Sequence, residues 1–217
     1  MHIFLLDIPG LEFAAFIPKG DYVTFCMLGK KMDNNLLDTF LSAPEVKAKM
    51  PPTIYNQLIA CHCNPFINVK GATNPFADRI VFIGDSGVTR LFKDGIGAAY
   101  RTAKSAATTV IFEGVSKNDF KKFFWPACKH INHDNLIGKF VFSFNTLNQK
   151  FGFARSAILK MVRAEQSNQK NQKYMSTVLW DMFTGSASYR EIFISTLHPG
   201  FLYHYIKAIV KSLVSLK

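Results

Sequence analysis

The sequence predicts an α+β chain with a strand pair near its start, a strand-to-helix unit near its middle and an all-helical C-terminal third. Three observations carry this. Glu12 to Ile17 and Tyr22 to Leu28 are strand-like runs joined by Pro18-Lys19-Gly20-Asp21. Ile80 to Ile83 is an unbroken apolar run that leads through Gly84-Asp85 to an Ala-rich segment. From Leu136 onward, aromatic and aliphatic residues recur at helical spacing.

Taken in order, the first two runs form a hairpin. Pro at the first turn position and Gly where a left-handed residue is wanted suit a type I turn with a Gly bulge. Asn34 to Leu41 and Glu45 to Met50 are short helices, the second stopped by Pro51-Pro52. Ile59 to Val69 is a strand or extended return, interrupted at Pro65. Ile80 to Ile83, β-branched and aromatic throughout, is expected to be a strand buried on both faces. A helix follows from about Ile96 to Phe112, with Asp94 as N-cap and Gly114 as its stop. Leu136 to Met161 and Tyr174 to Phe183 are helical, separated by the polar stretch Glu165 to Lys173. Ser188-Tyr189-Arg190-Glu191 is a capping box that opens a helix from Tyr189 to Leu197, which Pro199-Gly200 ends. In the last segment Leu202, Tyr205, Ile206, Ile209, Leu213 and Leu216 form one stripe, while His204, Lys207 and Lys211 share another face. That basic amphipathic helix has two open readings, docking on the core and anchoring at a membrane surface, with docking somewhat favoured. Three segments result: 1–75, 76–135 and 136–217.

In open α/β sheets, ligands sit beyond the strand ends. Asp85 would stand there as an acceptor for ligand hydroxyls, and Gly95 to Gly97 would offer free N–H groups at a helix start. Gly84-Asp85 followed by Asp94-Gly95-Ile96-Gly97-Ala98-Ala99 resembles the second FAD-binding motif of the flavoproteins that include geranylgeranyl reductases and p-hydroxybenzoate-hydroxylase-type monooxygenases. The resemblance implies that Gly84 and Asp85 hold the ribityl chain of FAD, while Gly95, Ile96 and Gly97 face the flavin pyrimidine ring. It also implies a partial FAD-binding α/β domain, with the hairpin belonging to a substrate domain and the C-terminal region helical. The implied activity is an oxidoreductase passing hydride or electrons through flavin to an apolar unsaturated substrate, small molecule or lipid. A monooxygenase or halogenase shares the motif.

The family begins with a strand, a Gly-x-Gly-x-x-Gly turn and a helix that hold the pyrophosphate; these 217 residues contain no such run. The expectation is therefore the C-terminal portion of such an enzyme, a fragment or separate subunit needing a missing N-terminal FAD-binding half. Alone it should not complete an FAD site. The competing class is a non-catalytic basic module that binds a membrane or a partner.

Composition narrows the rest. A chain that is 48% hydrophobic, without long Pro, Gly or polar runs, is globular and long enough for a sizeable core. No signal peptide or spanning segment is evident. Cys26, Cys61, Cys63 and Cys128 lack disulfide-framework or zinc spacing, which suits a reducing cytoplasm and predicts no metal. The net charge of +11 lies entirely in residues 100–217, where 17 basic residues face 6 acidic ones. Such a surface suits an anionic membrane or an acidic partner, and the cytoplasmic chain would then be peripheral to the membrane. Its scattered charges match no nucleic-acid fold. Cys61-His62-Cys63 puts two thiols on one face of a strand, where they are a redox pair, a thiol nucleophile, or two small buried apolar groups flanking an outward His. His62, His130, His133, His198 and His204 have no carboxylate at motif spacing, so no catalytic residue is assigned.

Overall fold

A computed structural model describes residues 1–29, 32–50, 63, 67, 69–167 and 172–214. The described residues are α+β, about 62% of them helical, with small antiparallel sheets. The chain divides into two units, Met1–Phe66 with Gln149–Phe151, and Ile67–Asn148 with Gly152–Lys217. Residues 76–135 and nearly all of 136–217 thus share one unit.

The first unit is a three-stranded antiparallel sheet in the order β1 (His2–Phe4), β2 (Leu11–Lys19), β3 (Tyr22–Gly29). β2 is central, and its apolar run buries both faces, as expected of a strand covered on both sides. The expected hairpin forms, but with a different turn. Pro18 and Lys19 remain in register, opposite Val23 and Tyr22, leaving Gly20-Asp21 as a two-residue loop. Gly20 alone has positive φ, at 60°, the pattern of a type II′ turn, whose twist matches that of the strands. The bulge lies at the other end, between Leu11 and Phe13. Helix α1 (Asn34–Ser42) starts at Asp33, whose carboxylate accepts from the Leu36 N–H at 2.9 Å. It lays Leu36 and Phe40 on the sheet, where Phe40 meets Phe4 edge to face at 5.4 Å. Each such side chain contributes about 1.5–3 kcal/mol on burial. Helix α2 (Pro44–Lys47) is shorter than expected from Glu45 to Met50. Most of the extended return from Ile59 to Val69, including Cys61 and His62, lies outside the described residues. Ile67 and Val69 are not in a strand, and Cys63 is exposed.

In the second unit, β4 (Phe76–Ala77) and β5 (Ile80–Val81) pair antiparallel. Ile80 to Ile83 is therefore not a doubly buried strand: Ile80, Phe82 and Ile83 are 52%, 48% and 42% exposed. Its partner is the other arm of a ribbon two strands wide. β-Branched composition favours extended backbone but does not report what covers it.

A single 3₁₀ turn (Gly84–Ser86) leads to a buried loop, Gly87 to Leu91, and then to α3 (Gly95–Phe112). α3 buries Ala98, Thr102, Ala106 and Thr109, a face of small residues at helical spacing that allows close approach. It ends as expected at Gly114, at φ 138°, whose N–H reaches the Thr109 carbonyl at 2.9 Å. Ser116 and Asp119 form a capping box for α4 (Lys117–Asp119), which continues through a π turn (Phe120–Phe124) into α5 (Trp125–Lys150). Phe120, Phe124, Cys128 and Ile131 line one face of this run and meet Phe76, Val88, Ala98 and Ala106 in the core.

The helical third follows as α6 (Gly152–Ser167), α7 (Tyr174–Thr184), α8 (Tyr189–Thr196) and α9 (Pro199–Val214). The stripe from Leu136 to Met161 is two helices, broken at Phe151. The Ser188–Glu191 capping box is present. Pro199 opens α9 rather than closing α8, since the first helical turn needs no N–H donors. No described helix is long and apolar enough to cross a membrane.

Candidate functional site at the start of helix α3

Gly84 is buried, with φ at 59°, a conformation that favours glycine. Its N–H donates to Thr102 Oγ1 at 2.9 Å, and that hydroxyl donates in turn to the Ala98 carbonyl at 2.8 Å. A Cβ on Gly84 would stand 3.1 Å from the Ala99 Cβ. Left-handed geometry and close helix approach thus both select glycine. The turn pins one end of the ribbon to α3 and leaves Asp85 exposed.

The Asp85 carboxylate lies against the helix start. A Cβ built on Gly95 would be 3.7 and 3.8 Å from its two oxygens and would meet nothing else within 4 Å. Among the described residues, no hydrogen-bond or ion-pair partner claims that carboxylate. The structure thus brings Gly84, Asp85 and Gly95 together, as the sequence spacing suggested.

The helix start itself is less open than expected. Asp94 is the N-cap, as predicted, at φ 59°, and its Oδ1 accepts from the Gly97 N–H at 3.1 Å. The Gly97 amide is therefore not available to a ligand. A Cβ on Gly97 would collide with the same carboxylate, so the cap accounts for that glycine. The first two amides of the helix, on Gly95 and Ile96, keep no intrahelical acceptor. The Ile96 side chain points outward, 89% exposed.

Asp94 is neutralised from two sides, by Arg101 at 2.7 Å and Arg90 at 3.1 Å. Burial acts to raise its pKa, but the two guanidinium groups outweigh it and hold the carboxyl below the ordinary range. Arg90 is itself buried and fully engaged. It donates to the Gly185 carbonyl at 3.0 Å and to the Ala187 carbonyl, and its Nε lies 3.6 Å from Asp134. Asp134 accepts from the Tyr189 and Arg190 N–H groups at 3.0 and 2.9 Å, a second cap on α8. Asn135 brackets the buried loop, accepting from the Leu91 N–H at 2.9 Å and donating to the Thr89 carbonyl at 2.8 Å. Tyr189 donates to the Leu91 carbonyl, and burial pushes its phenol well above the usual range.

Asp134, Asn135 and Tyr189, and every polar partner of Arg90 except Asp94, escape sequence reasoning because the groups they bond lie 44 to 98 residues away. Among the described residues no cluster could hold a metal ion. His198 accepts from the Gly200 N–H through Nδ1, a local turn contact. Comparison of the chain with protein-family models, curated proteins and solved structures finds no match.

Proposed function

We propose that residues 84–97 form the ribityl and ring side of a flavin site in an FAD-dependent oxidoreductase acting on an apolar unsaturated substrate, similar to the geranylgeranyl reductase group. The supporting observation is the exposed, unclaimed Asp85 carboxylate beside Gly95 at the start of α3. These residues fit the hydroxylated part of the cofactor. Asp85 offers two acceptor oxygens for hydroxyl donors, and the space beside Gly95 is open. The Gly95 and Ile96 amides can donate to a carbonyl-rich ring edge at the positive end of the helix.

When bound, the flavin supplies hydride or electron transfer, and the protein supplies position and polarity. Asp85 would fix the depth of the polyol chain. The Asp94 cap, already balanced by two arginines, would keep the helix start rigid without adding net charge. Exposed Phe82, Ile83 and Ile96 offer apolar surface beside it. The pyrophosphate would be held by a further polypeptide segment, since no Gly-x-Gly-x-x-Gly turn occurs in the sequence. A monooxygenase or halogenase would use the same residues. A non-catalytic membrane-binding module is the second reading, favoured by the exposed apolar stripe on α9.

Titration of the protein with FAD tests the flavin reading. A hydrogen bond to a charged group is worth about 1.5–3 kcal/mol, so Asp85→Ala should weaken binding roughly tenfold to 150-fold. An unchanged dissociation constant removes Asp85 from the site.

A further inference from the structure

We propose that the cleft between α6 and α9 seats the phosphate of an anionic lipid headgroup, with α9 lying at the membrane surface. This rests on different residues from the flavin reading and stands or falls separately. The cleft encloses about 430 Å³. Lys160, His204, Lys207 and Lys211 line it, over a floor that includes Met161 and Ala208. Its one acid, Glu165, is buried and committed to the start of α7, where its oxygens accept from the Met175 and Ser176 N–H groups at 2.9 and 2.8 Å. Lys207 and Lys211 thus face the cleft with no exposed carboxylate among its described lining residues.

The wall is built around Tyr174. Its ring packs between His198 and His204, with centroids 5.3 and 5.8 Å away, and its hydroxyl donates to Gln172 at 2.8 Å. A Cβ on Gly200 would collide with that hydroxyl, so the glycine makes room for the ring. The Lys207 ammonium stands 5.6 Å from the Tyr203 ring, a contact that leaves its charge intact.

At 100° per residue, α9 divides into three faces. Phe201, Tyr205 and Ser212 are buried. His204, Lys207 and Lys211 turn to the cleft. On the remaining face Leu202, Ile206, Val210 and Leu213 are 40%, 58%, 55% and 48% exposed. The expected choice between docking and anchoring is therefore not exclusive, since one face is docked and an apolar face is left over. A basic face flanking an apolar one matches the charge and polarity of an anionic bilayer surface. Free phosphate would use the lysines but give no role to the apolar face.

Co-sedimentation of the full chain decides this, using vesicles of phosphatidylcholine alone and with about one-third phosphatidylglycerol. Binding to the anionic vesicles only is expected. Each lysine near such a surface is worth about fivefold in partition, so Lys207→Gln with Lys211→Gln should lower binding about 25-fold. Ile206→Ser with Val210→Ser should lower it too, while Lys129→Gln with Lys139→Gln, on α5, should retain binding within about twofold. Circular dichroism checks each fold, and the single Lys207→Gln and Lys211→Gln variants read the same effect at about fivefold should the pair unfold. Equal binding to both vesicles, no binding, or equal loss in the α5 variant overturns the proposal. Displacement by inorganic phosphate at constant ionic strength also overturns it, assigning the cleft to free phosphate.

Discussion

The Arg90 guanidinium lies 4.7 Å over the ring of Tyr189, while the Tyr189 hydroxyl donates to the carbonyl of Leu91, next in sequence to Arg90. The two contacts fasten the loop after the Gly84 turn to the start of α8, and through Asp94 they reach the cap of α3. The candidate site therefore stands on a buried ionic network rather than on a sheet.

Replacement of Arg90 by methionine should be among the most damaging single changes in the chain. It would leave the Gly185 and Ala187 carbonyls without their donor and two carboxylates less compensated, a loss of about 3–5 kcal/mol for a broken buried pair. Urea unfolding followed by circular dichroism measures it. A loss below about 1 kcal/mol would mean that the network is solvated in solution.

Asp94 sets a pH dependence. Its folded pKa lies below its unfolded value, so its contribution is complete above the ordinary carboxylate pKa of about 4 and is lost as pH falls through the folded value. Glu191, held down by hydrogen bonds from Ser188, acts in the same direction. Urea midpoints measured from pH 6 to pH 3 should fall on the acid side, and Asp94→Asn should flatten that limb. A limb equally steep in the variant would place the acid sensitivity elsewhere.

Much of this region was legible in the sequence because its signals are local. Asp94 and Gly114 bound α3, and Ser188 with Glu191 opens α8, since caps act within one turn of chain. Gly84, Asp85 and Gly95 were legible as a motif. The run from Lys117 to Ile131 was not, because Lys121, Lys122 and Pro126 mask a buried face of Phe120, Phe124, Cys128 and Ile131. The π turn shifts the helical bonding just before Pro126, so the missing N–H falls where the regular ladder is already interrupted. The exposure of Ile80 to Ile83 was illegible for another reason: burial depends on neighbouring strands, which a local run does not specify. Arg90 and Tyr189 pair across 99 positions, beyond any periodicity.

Gly138 should resist substitution although it lies inside α5. Alanine would gain up to about 1 kcal/mol of helix propensity. A Cβ there would stand 2.6 Å from Tyr189 Cδ2 and 2.8 Å from two other atoms of the same ring. Overpacking of this kind costs about 1–3 kcal/mol, so Gly138→Ala should destabilise, read by the urea midpoint. A stabilised variant would mean that the Tyr189 ring moves freely.

Thiol labelling should separate Cys63 from Cys128. Cys128 is buried in the core, and desolvation pushes its thiol up to about 11, whereas Cys63 is exposed. Iodoacetamide at pH 8, followed by peptide mass spectrometry, should modify Cys63 in the native protein and Cys128 only in urea. Equal labelling of both without denaturant would contradict the core packing.

In the proposed flavin site, Asp85 and the helix start at Gly95 and Ile96 meet the ribityl chain and ring of the cofactor and nothing beyond them. Parallel titrations of this chain with riboflavin and with FAD, followed by quenching of flavin fluorescence, test it most directly. Weak, saturable binding of both is expected, with dissociation constants within about threefold of each other, because no contact reaches the pyrophosphate. Binding of neither ligand, or FAD held more than about tenfold tighter than riboflavin, would contradict it.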